Sequence, residues 1–244
     1  MKTLVIIPSR LSARRLPGKP LLKINGLSMI SHVYKKAVAA NIGEVYVAAE
    51  DQEIIDDVNK NRGQAILTNN KHKTGTDRVY EALKKIGKPD IELVMNLQGD
   101  EPLMNVEDIR NLYNQMVKSK SEMGTLASEI KDESFFSKES VVKVLTNKSL
   151  LNSEFVQAIN FVRKTSKLRE NIYHHLGIYC YKVDTLKNFV SLSQSQKEIQ
   201  NRLEQLRALD NNIEVRVALA KESPIGVDTK EDFVAIKKIM EYKS

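Results

Sequence analysis

The chain has 244 residues, is 41% hydrophobic and carries a formal charge of +7, from 38 Lys and Arg against 31 Asp and Glu. That length sustains one large α/β domain, or one domain with a small appendage, and no apolar run is long enough to span a bilayer. A single cysteine, Cys180, excludes an internal disulfide and any Cys-rich zinc site, and reads as a small packed strand residue. The first apolar run is too short for a signal peptide and runs straight into Arg10, so a cytoplasmic protein with no membrane partner is expected. The positive charge admits nucleic acid, an anionic surface or small polyanions as partners. There is no Trp, and the basic residues are spread out except in the first loop and in Lys-rich helices. This distribution points to a phosphorylated small substrate and away from nucleic acid.

Residues 4–7, Leu-Val-Ile-Ile, read as a buried parallel strand. Pro8 ends it, because proline cannot donate to a sheet ladder. The next loop sets Arg10, Arg14, Arg15 and Lys19 among Ser, Pro and Gly, and a helical pattern covers 29–39. A strand, a basic loop and a helix at the carboxyl edge of an α/β sheet suit a nucleotide phosphate. The loop has neither Walker spacing nor three spaced glycines. Its hold on phosphate would rest on side-chain charge, with forked arginine donors and a mobile lysine. Taken alone, the same residues also describe a solvated basic turn.

Residues 44–49 and 64–68 read as strands. Between them Asp51 is the expected N-cap of a helix through Ile54, Ile55 and Val58. The polar stretch 69–78 enters a helix through Val79, Leu83 and Ile86, with Thr76 as its expected N-cap. The backbone N–H groups there, with Arg78, can hold an anion or a base edge, although an ordinary capped loop looks the same. Strand 91–97 ends in Gln98-Gly99-Asp100-Glu101-Pro102. A carboxylate just past a buried strand, after a glycine, is well placed for a divalent cation. Asp100 is given that role, and Glu101 is read as a turn residue. Arg10, Lys19 and Asp100 are then expected at one crevice.

Alternating strands and helices in this first half argue for an α/β fold with a mostly parallel sheet. A helix at 106–117 and strands at 124–130, 141–145, 173–181 and 213–218 follow. The stretch 146–169 offers only packing residues (Phe155, Ile159, Phe161, Val162) and a basic run at 163–169. His174 and His175 are adjacent in a strand, point to opposite faces and cannot easily share an ion. One buried, hydrogen-bonded histidine and one exposed histidine are expected. A short helix at 183–190 precedes a charged helix at 197–209 with Ile199, Leu203 and Leu206 on one face. Thr229 and Asp232 form a loose capping box for the last helix. Asp228 is either a second metal carboxylate or a cap residue. No internal repeat or linker divides the chain, so 1–244 reads as a single domain. The segment from about 150 to 209 is an excursion able to make a dimer surface.

Six segments in order carry a resemblance that covers the chain nearly end to end. They are Ile6-Ile7-Pro8-Ser9-Arg10 through Arg15-Leu16-Pro17-Gly18-Lys19-Pro20; Thr74-Gly75-Thr76-Asp77-Arg78; Asn96-Leu97-Gln98-Gly99-Asp100-Glu101-Pro102; His175-Leu176-Gly177-Ile178-Tyr179; Leu203-Glu204-Gln205-Leu206-Arg207; and Gly226-Val227-Asp228-Thr229. Together they resemble the CMP-Kdo synthetase family, the 3-deoxy-manno-octulosonate cytidylyltransferases. The resemblance implies a Rossmann-like nucleotidyltransferase domain with a dimerisation excursion, working as a homodimer. It implies that CTP and the acidic sugar Kdo give CMP-sugar and pyrophosphate, with Mg²⁺ as cofactor and lipopolysaccharide biosynthesis as the setting. On this likeness Pro8, Arg10, Arg15, Lys19, Thr74, Gly75, Thr76, Arg78 and Gln98 bind nucleotide. Asp100 and Asp228 hold the metal, and with Arg10 and Lys19 form the catalytic group. Gln98, Gln157, His175, Tyr179, Glu204 and Gln205 face the sugar.

The chain departs from the family pattern at one place. Where the family carries Phe-Ser-Arg-Ala beside the sugar, this chain has Phe155-Val156-Gln157-Ala158, and Phe161 stands near a usual proline. The expected sugar is therefore Kdo or a close 3-deoxy-ulosonic acid. The alternatives are a synthetase for sialic-type nonulosonic acids and a degenerate nucleotide-binding homologue.

Overall fold

The apolar run at the N-terminus forms strand β1 (Thr3–Ser9), and Leu4, Val5, Ile6 and Ile7 are all at most 1% exposed. The computed structural model describes residues 1–12, 15–165, 170–223 and 226–242. Arg14 of the basic loop and residues 166–169 of the basic run lie outside these. After β1 come β2 (Lys23–Ile24), β3 (Leu27–Ser28), α1 (Met29–Ala40), β4 (Glu44–Ala49), α2 (Gln52–Lys60), β5 (Ala65–Leu67), α3 (Gly75–Ile86) and β6 (Leu93–Asn96). The chain continues through α4 (Val106–Ser119), β7 (Met123–Ser128), β8 (Lys143–Thr146), β9 (Val156–Val162), β10 (Ile172–Lys182) and α5 (Val183–Ser191). It ends with α6 (Gln196–Asn201), α7 (Leu206–Asp210), β11 (Val215–Leu219) and α8 (Lys230–Tyr242). None of the described helices is long and apolar enough to cross a membrane.

The chain divides into two compact units. One comprises Lys2–Ile91, Met95–Ile109 and the described part of Pro224–Ser244; the other comprises Met1, Glu92–Val94 and Arg110–Ser223. In the first, β1 pairs in parallel with β4, and β4 in parallel with β5. Helical crossovers between these strands enforce the parallel pairing. Helix α1 starts at Ser28, whose hydroxyl accepts the Ser31 N–H at 3.3 Å, and stops at Asn41, which turns left-handed at φ 51°. Ile24, Met29, Val227 and Ile236 form a separate buried cluster that seats α8.

One expected cap moves, and a second keeps its place without its cap bond. Thr74, not Thr76, caps α3: its hydroxyl accepts the Asp77 N–H at 3.2 Å and Asp77 answers to the Thr74 N–H at 3.2 Å. Thr76 is buried in the first turn. Asp51 stands at the N-cap position of α2 but makes no cap bond with its side chain. Its carboxylate instead accepts the Leu11 N–H at 2.7 Å, which ties down the basic loop. At α8 the expected box holds, with Thr229 and Asp232 bonded reciprocally. Asp228 is therefore released from a capping role.

In the second unit the strand order is β10-β7-β11-β9-β8, and β8 also pairs with the first residues of β10. Only β11 and β7 run parallel; the other described pairs in this unit are antiparallel. The parallel pattern expected for the sheet thus holds in the first unit and gives way here. Among the described residues β8, β9 and β10 follow one another without intervening α-helices, a connection that antiparallel strands allow and parallel ones do not. The helix expected at 197–209 is two helices, α6 and α7, broken where Arg202 adopts φ 52°. The break leaves Leu203 and Leu206 buried at 4% and 2% and turns Ile199 out to 60% exposure.

Candidate active site

The first unit carries a cavity of about 420 Å³ at the ends of β1 and β6 and the start of α3. Its construction begins with Gly18, whose φ of 70° and N–H bond to Leu11 O at 3.0 Å close the basic loop. That closure delivers Lys19 inward. The Lys19 ammonium donates to Asp100 Oδ2 and to Val227 O, both at 2.7 Å, and lies 3.8 Å from Asp228 Oδ1. Arg15 approaches Asp228 Oδ1 at 3.0 Å, and the Val227 N–H donates to Asp100 O at 2.9 Å. Two carboxylates from distant parts of the sequence are thus gathered around one ammonium.

Gly99 permits the close approach behind Asp100. A Cβ there would meet Ile30 Cδ1 at 3.1 Å and Pro8 O at 3.2 Å. Gly75, the first residue of α3, also lies against Pro8: a Cβ there would meet the Pro8 ring at 3.5 Å, and Thr74 and Gly75 line the cavity. The N-terminus of α3 therefore faces the cavity, with its orphan N–H groups and positive dipole end.

Pro8, Arg10, Arg15, Lys19, Thr74, Gly75, Arg78 and Gln98 all line this cavity, with Asp100 and Asp228. Thr76 does not. Its hydroxyl instead accepts from Asn96 Nδ2 at 3.5 Å inside the unit. Arg78 is 3% exposed, donates to Thr68 Oγ1 at 2.6 Å and pairs with Glu50, so much of its fork braces the wall.

Ser9, His72 and Lys73 also line the cavity and escaped the sequence reading. Ser9 Oγ is buried with no protein partner among the described residues, so it is available to a ligand. His72 bonds to Glu81, which also accepts the Asn69 N–H at 2.9 Å and pairs with Lys85 at 2.8 Å. Burial pushes the Glu81 carboxyl up, but Lys85, His72 and Asn69 together bring it down to about 2. The sequence signal for His72 and Lys73 is their place just before the Thr74 cap, which assigning the cap to Thr76 hides.

The residues expected to face a sugar, Gln98 apart, lie in the second unit. His175 on β10 is 7% exposed, and its Nε2 is 3.1 Å from Thr125 Oγ1. The Thr125 hydroxyl donates to Ile178 O at 2.7 Å, so it accepts from His175, whose Nδ1 then keeps its lone pair. Burial, with His174 beside it, pulls His175 down to about 3 and keeps it neutral. The rings of Phe161 and Tyr179 stand 5.1 and 5.4 Å from it. His174 turns the other way, to Ser223 Oγ at 2.6 Å, and is half-buried, so the expected exposed histidine is only partly so. Gln205 is 6% exposed and Glu204 half-buried, in the turn between α6 and α7. Gln157 is exposed on β9, opposite Arg216 of β11; the β9 residue that reaches His175 is Phe161. Cys180 is buried, its thiol pushed up to about 12 by burial, and packs without reactive character.

A parallel frame, a basic loop, a helix N-terminus and two carboxylates about a lysine define a nucleotidyltransferase of the α/β class. The chain matches the family model for cytidylyltransferases over residues 4–219 and belongs to that family. It is 40% identical to the 3-deoxy-manno-octulosonate cytidylyltransferase of Nitrobacter winogradskyi, over 98% of this chain and 94% of that one. The enzyme of the same name from Brucella anthropi is 39% identical over 95% of this chain and 94% of that one. Among solved structures, a CMP:2-keto-3-deoxy-manno-octonic acid synthetase complexed with CTP superposes with a TM-score of 0.90 at 33% identity, covering all of both chains. A 4-diphosphocytidyl-2C-methyl-D-erythritol synthase from Anaerococcus prevotii shares the fold alone, with a TM-score of 0.66 at 15% identity over 98% of each chain.

Proposed function

We propose that this protein couples CTP to the anomeric hydroxyl of Kdo or a close 3-deoxy-ulosonic acid, releasing pyrophosphate and forming the CMP-sugar. The observation that carries this reading is the cluster of Lys19, Asp100 and Asp228 within a basic cavity, in a chain so similar to enzymes named for that reaction. The sugar oxygen attacks the α-phosphorus in line, and pyrophosphate leaves. Such transfer needs positioning and charge neutralisation more than a covalent intermediate. Arg10, Arg15 and Lys19 hold triphosphate oxygens, and the N-terminus of α3 presents N–H groups to the nucleotide. His175, neutral and fixed by Thr125, offers Nδ1 as an acceptor for a sugar hydroxyl. Gln157, Tyr179, Glu204 and Gln205 supply further polar contacts to the sugar.

Asp100 and Asp228 suit Mg²⁺, a hard cation that takes one or two carboxylates along with phosphate oxygens and water. Among the described residues no cluster of three or more potential metal-ligating side chains competes with this pair. When bound, the ion would neutralise phosphate charge and lower the pKa of the attacking hydroxyl. We infer a homodimer formed through the second unit, where Leu151, Ile159 and Ile199 are more than half exposed at 57%, 56% and 60%. A lone buried free cysteine fits a reducing, cytoplasmic setting, and the product on this reading serves lipopolysaccharide biosynthesis.

The test is pyrophosphate release from CTP and Mg²⁺ with a panel of ulosonic acids. Release with Kdo supports the reading. Release only with a nonulosonic acid of the sialic type replaces the sugar and keeps the chemistry. CTP binding without turnover on any acid leaves a degenerate nucleotide binder.

A further inference from the structure

We propose that Arg163 is a positioning residue for the turn that carries Glu204 and Gln205. The inference rests on the sugar-facing role given to that turn above. Arg163 leaves the end of β9 and bonds with all three nitrogens of its guanidinium. Nε donates to Asn201 O at 2.6 Å, Nη2 to Arg202 O at 2.8 Å and Nη1 to Glu139 O at 3.0 Å. Asn201 and Arg202 are the last residue and the C-cap of α6. Their carbonyls are the kind a helix end leaves orphaned, and an arginine near a helix C-terminus satisfies them.

The capped end is also where the chain changes direction. Arg202 takes a left-handed conformation with no glycine to ease it, a conformation a non-glycine residue adopts at a cost. The next residues are Leu203, Glu204 and Gln205. Arg163 supplies bonds that hold Arg202 in that conformation, and so fixes where Glu204 and Gln205 begin.

Arg163 is itself anchored. Lys143, 0% exposed, donates to Arg163 O at 2.6 Å, Val141 O at 2.7 Å and Lys138 O at 2.8 Å. All three ammonium protons are used, and the segment 138–141 is bound to the end of β9. On the far side of the turn, Arg207 forms a buried bidentate pair with Glu198 at 2.6 and 2.8 Å. The turn 203–205 is therefore held at both ends by arginines, and Arg163 is the one that reaches it from another strand.

The experiment compares wild type, Arg163→Ala and Arg163→Lys in the full-length enzyme. It reads KM for Kdo, KM for CTP, melting temperature and amide hydrogen exchange across 203–207, where Leu203, Leu206 and Arg207 N–H groups are bonded. The expected result for Arg163→Ala is a rise of about 10- to 100-fold in KM for Kdo, as for a misplaced substrate-binding group. KM for CTP should stay within about twofold, exchange at 203–207 should speed up, and Arg163→Lys should recover part of both. Equal rises in both KM values with a fallen melting temperature would mark a general structural role and overturn the proposal. So would an unchanged KM for Kdo. Failure of the wild type to turn over Kdo would refute the substrate reading instead. The clamp would then be decided by exchange alone, and unchanged protection at 203–207 would overturn it.

Discussion

Replacing Lys19 with methionine isolates the cation at the centre of the cavity. Its ammonium makes two bonds of 2.7 Å, to Asp100 Oδ2 and Val227 O, and its side chain is 13% exposed. Methionine keeps the apolar stem and removes only the charge. A hydrogen bond to a charged group contributes about 1.5–3 kcal/mol. Asp100 is 31% exposed and regains water once the lysine is gone, so the net cost to stability is about 1–2 kcal/mol. For a chain of this size that is a fall of about 2–8 °C in Tm. On the proposed function the catalytic loss is larger, because the same ammonium then faces phosphate charge that builds in the transition state. Removing one preorganised donor of this kind lowers kcat by about 10²–10³-fold. Calorimetry without nucleotide measures the first effect, and pyrophosphate release at saturating CTP measures the second. With the ammonium gone, Asp100 loses its cation while Asp228 keeps Arg15 at 3.0 Å, so Mg²⁺ should raise the Tm of the variant more than that of the wild type. A kcat within about threefold of wild type would refute the reasoning. Lys19 would then be only a tie between Asp100 and Val227.

Three further outcomes are expected. Gln157→Arg restores a forked cation on β9 and should raise kcat/KM for Kdo by about tenfold, some 1.4 kcal/mol; an unchanged or lower value would separate this position from sugar recognition. Arg207→Met strands Glu198, a carboxylate whose side chain is 4% exposed, and removes a guanidinium 4.7 Å above the Phe189 ring. Breaking such a buried pair costs about 3–5 kcal/mol and should appear as a large drop in the urea midpoint. His175 is held neutral down to about 3, below the usual histidine value, so the unfolded chain takes up its proton first as pH falls. Its contribution to stability is complete above about pH 6.5 and is lost toward pH 3, some 2 kcal/mol of it by pH 5. Urea midpoints at pH 8 and pH 5 read this together with the share of His174, which burial and then Lys143 lower to about 4, so His175→Gln should reduce the difference without abolishing it.

The nucleotide side of the protein is legible in sequence because its determinants are local. A four-residue apolar run, a basic loop and a glycine before Asp100 each announce themselves within a few positions, although β1 runs on through Pro8 to Ser9, past the proline expected to end it. Even the cap error at α3 had its correction in view, since Thr74 and Asp77 have capping-box spacing whereas Thr76 lacks an acidic partner three residues on. Lys19 and Asp228 are far apart in sequence, yet each is marked by its own segment.

The second unit resists such reading because distant contacts shape it. The break at Arg202 carries no glycine or proline to signal it; its carbonyl is bonded by Arg163, 39 residues away. β9 hides behind a register irregularity between Leu145 and Thr146, where Asn160 and then Ala158 are the partners and Ile159 is passed over. That slip lets Phe161 join Val156 and Ala158 among the buried residues and leaves Gln157 exposed, so plain alternation would misplace either Gln157 or Phe161. This difference bears on specificity. Phosphate recognition needs charges at fixed points, and a short local motif can supply them. On the proposed function, recognition of a particular sugar falls to a turn and a strand placed by remote bonds. A substitution such as glutamine at position 157 can therefore alter the sugar side while the Lys19–Asp100–Asp228 arrangement stays intact.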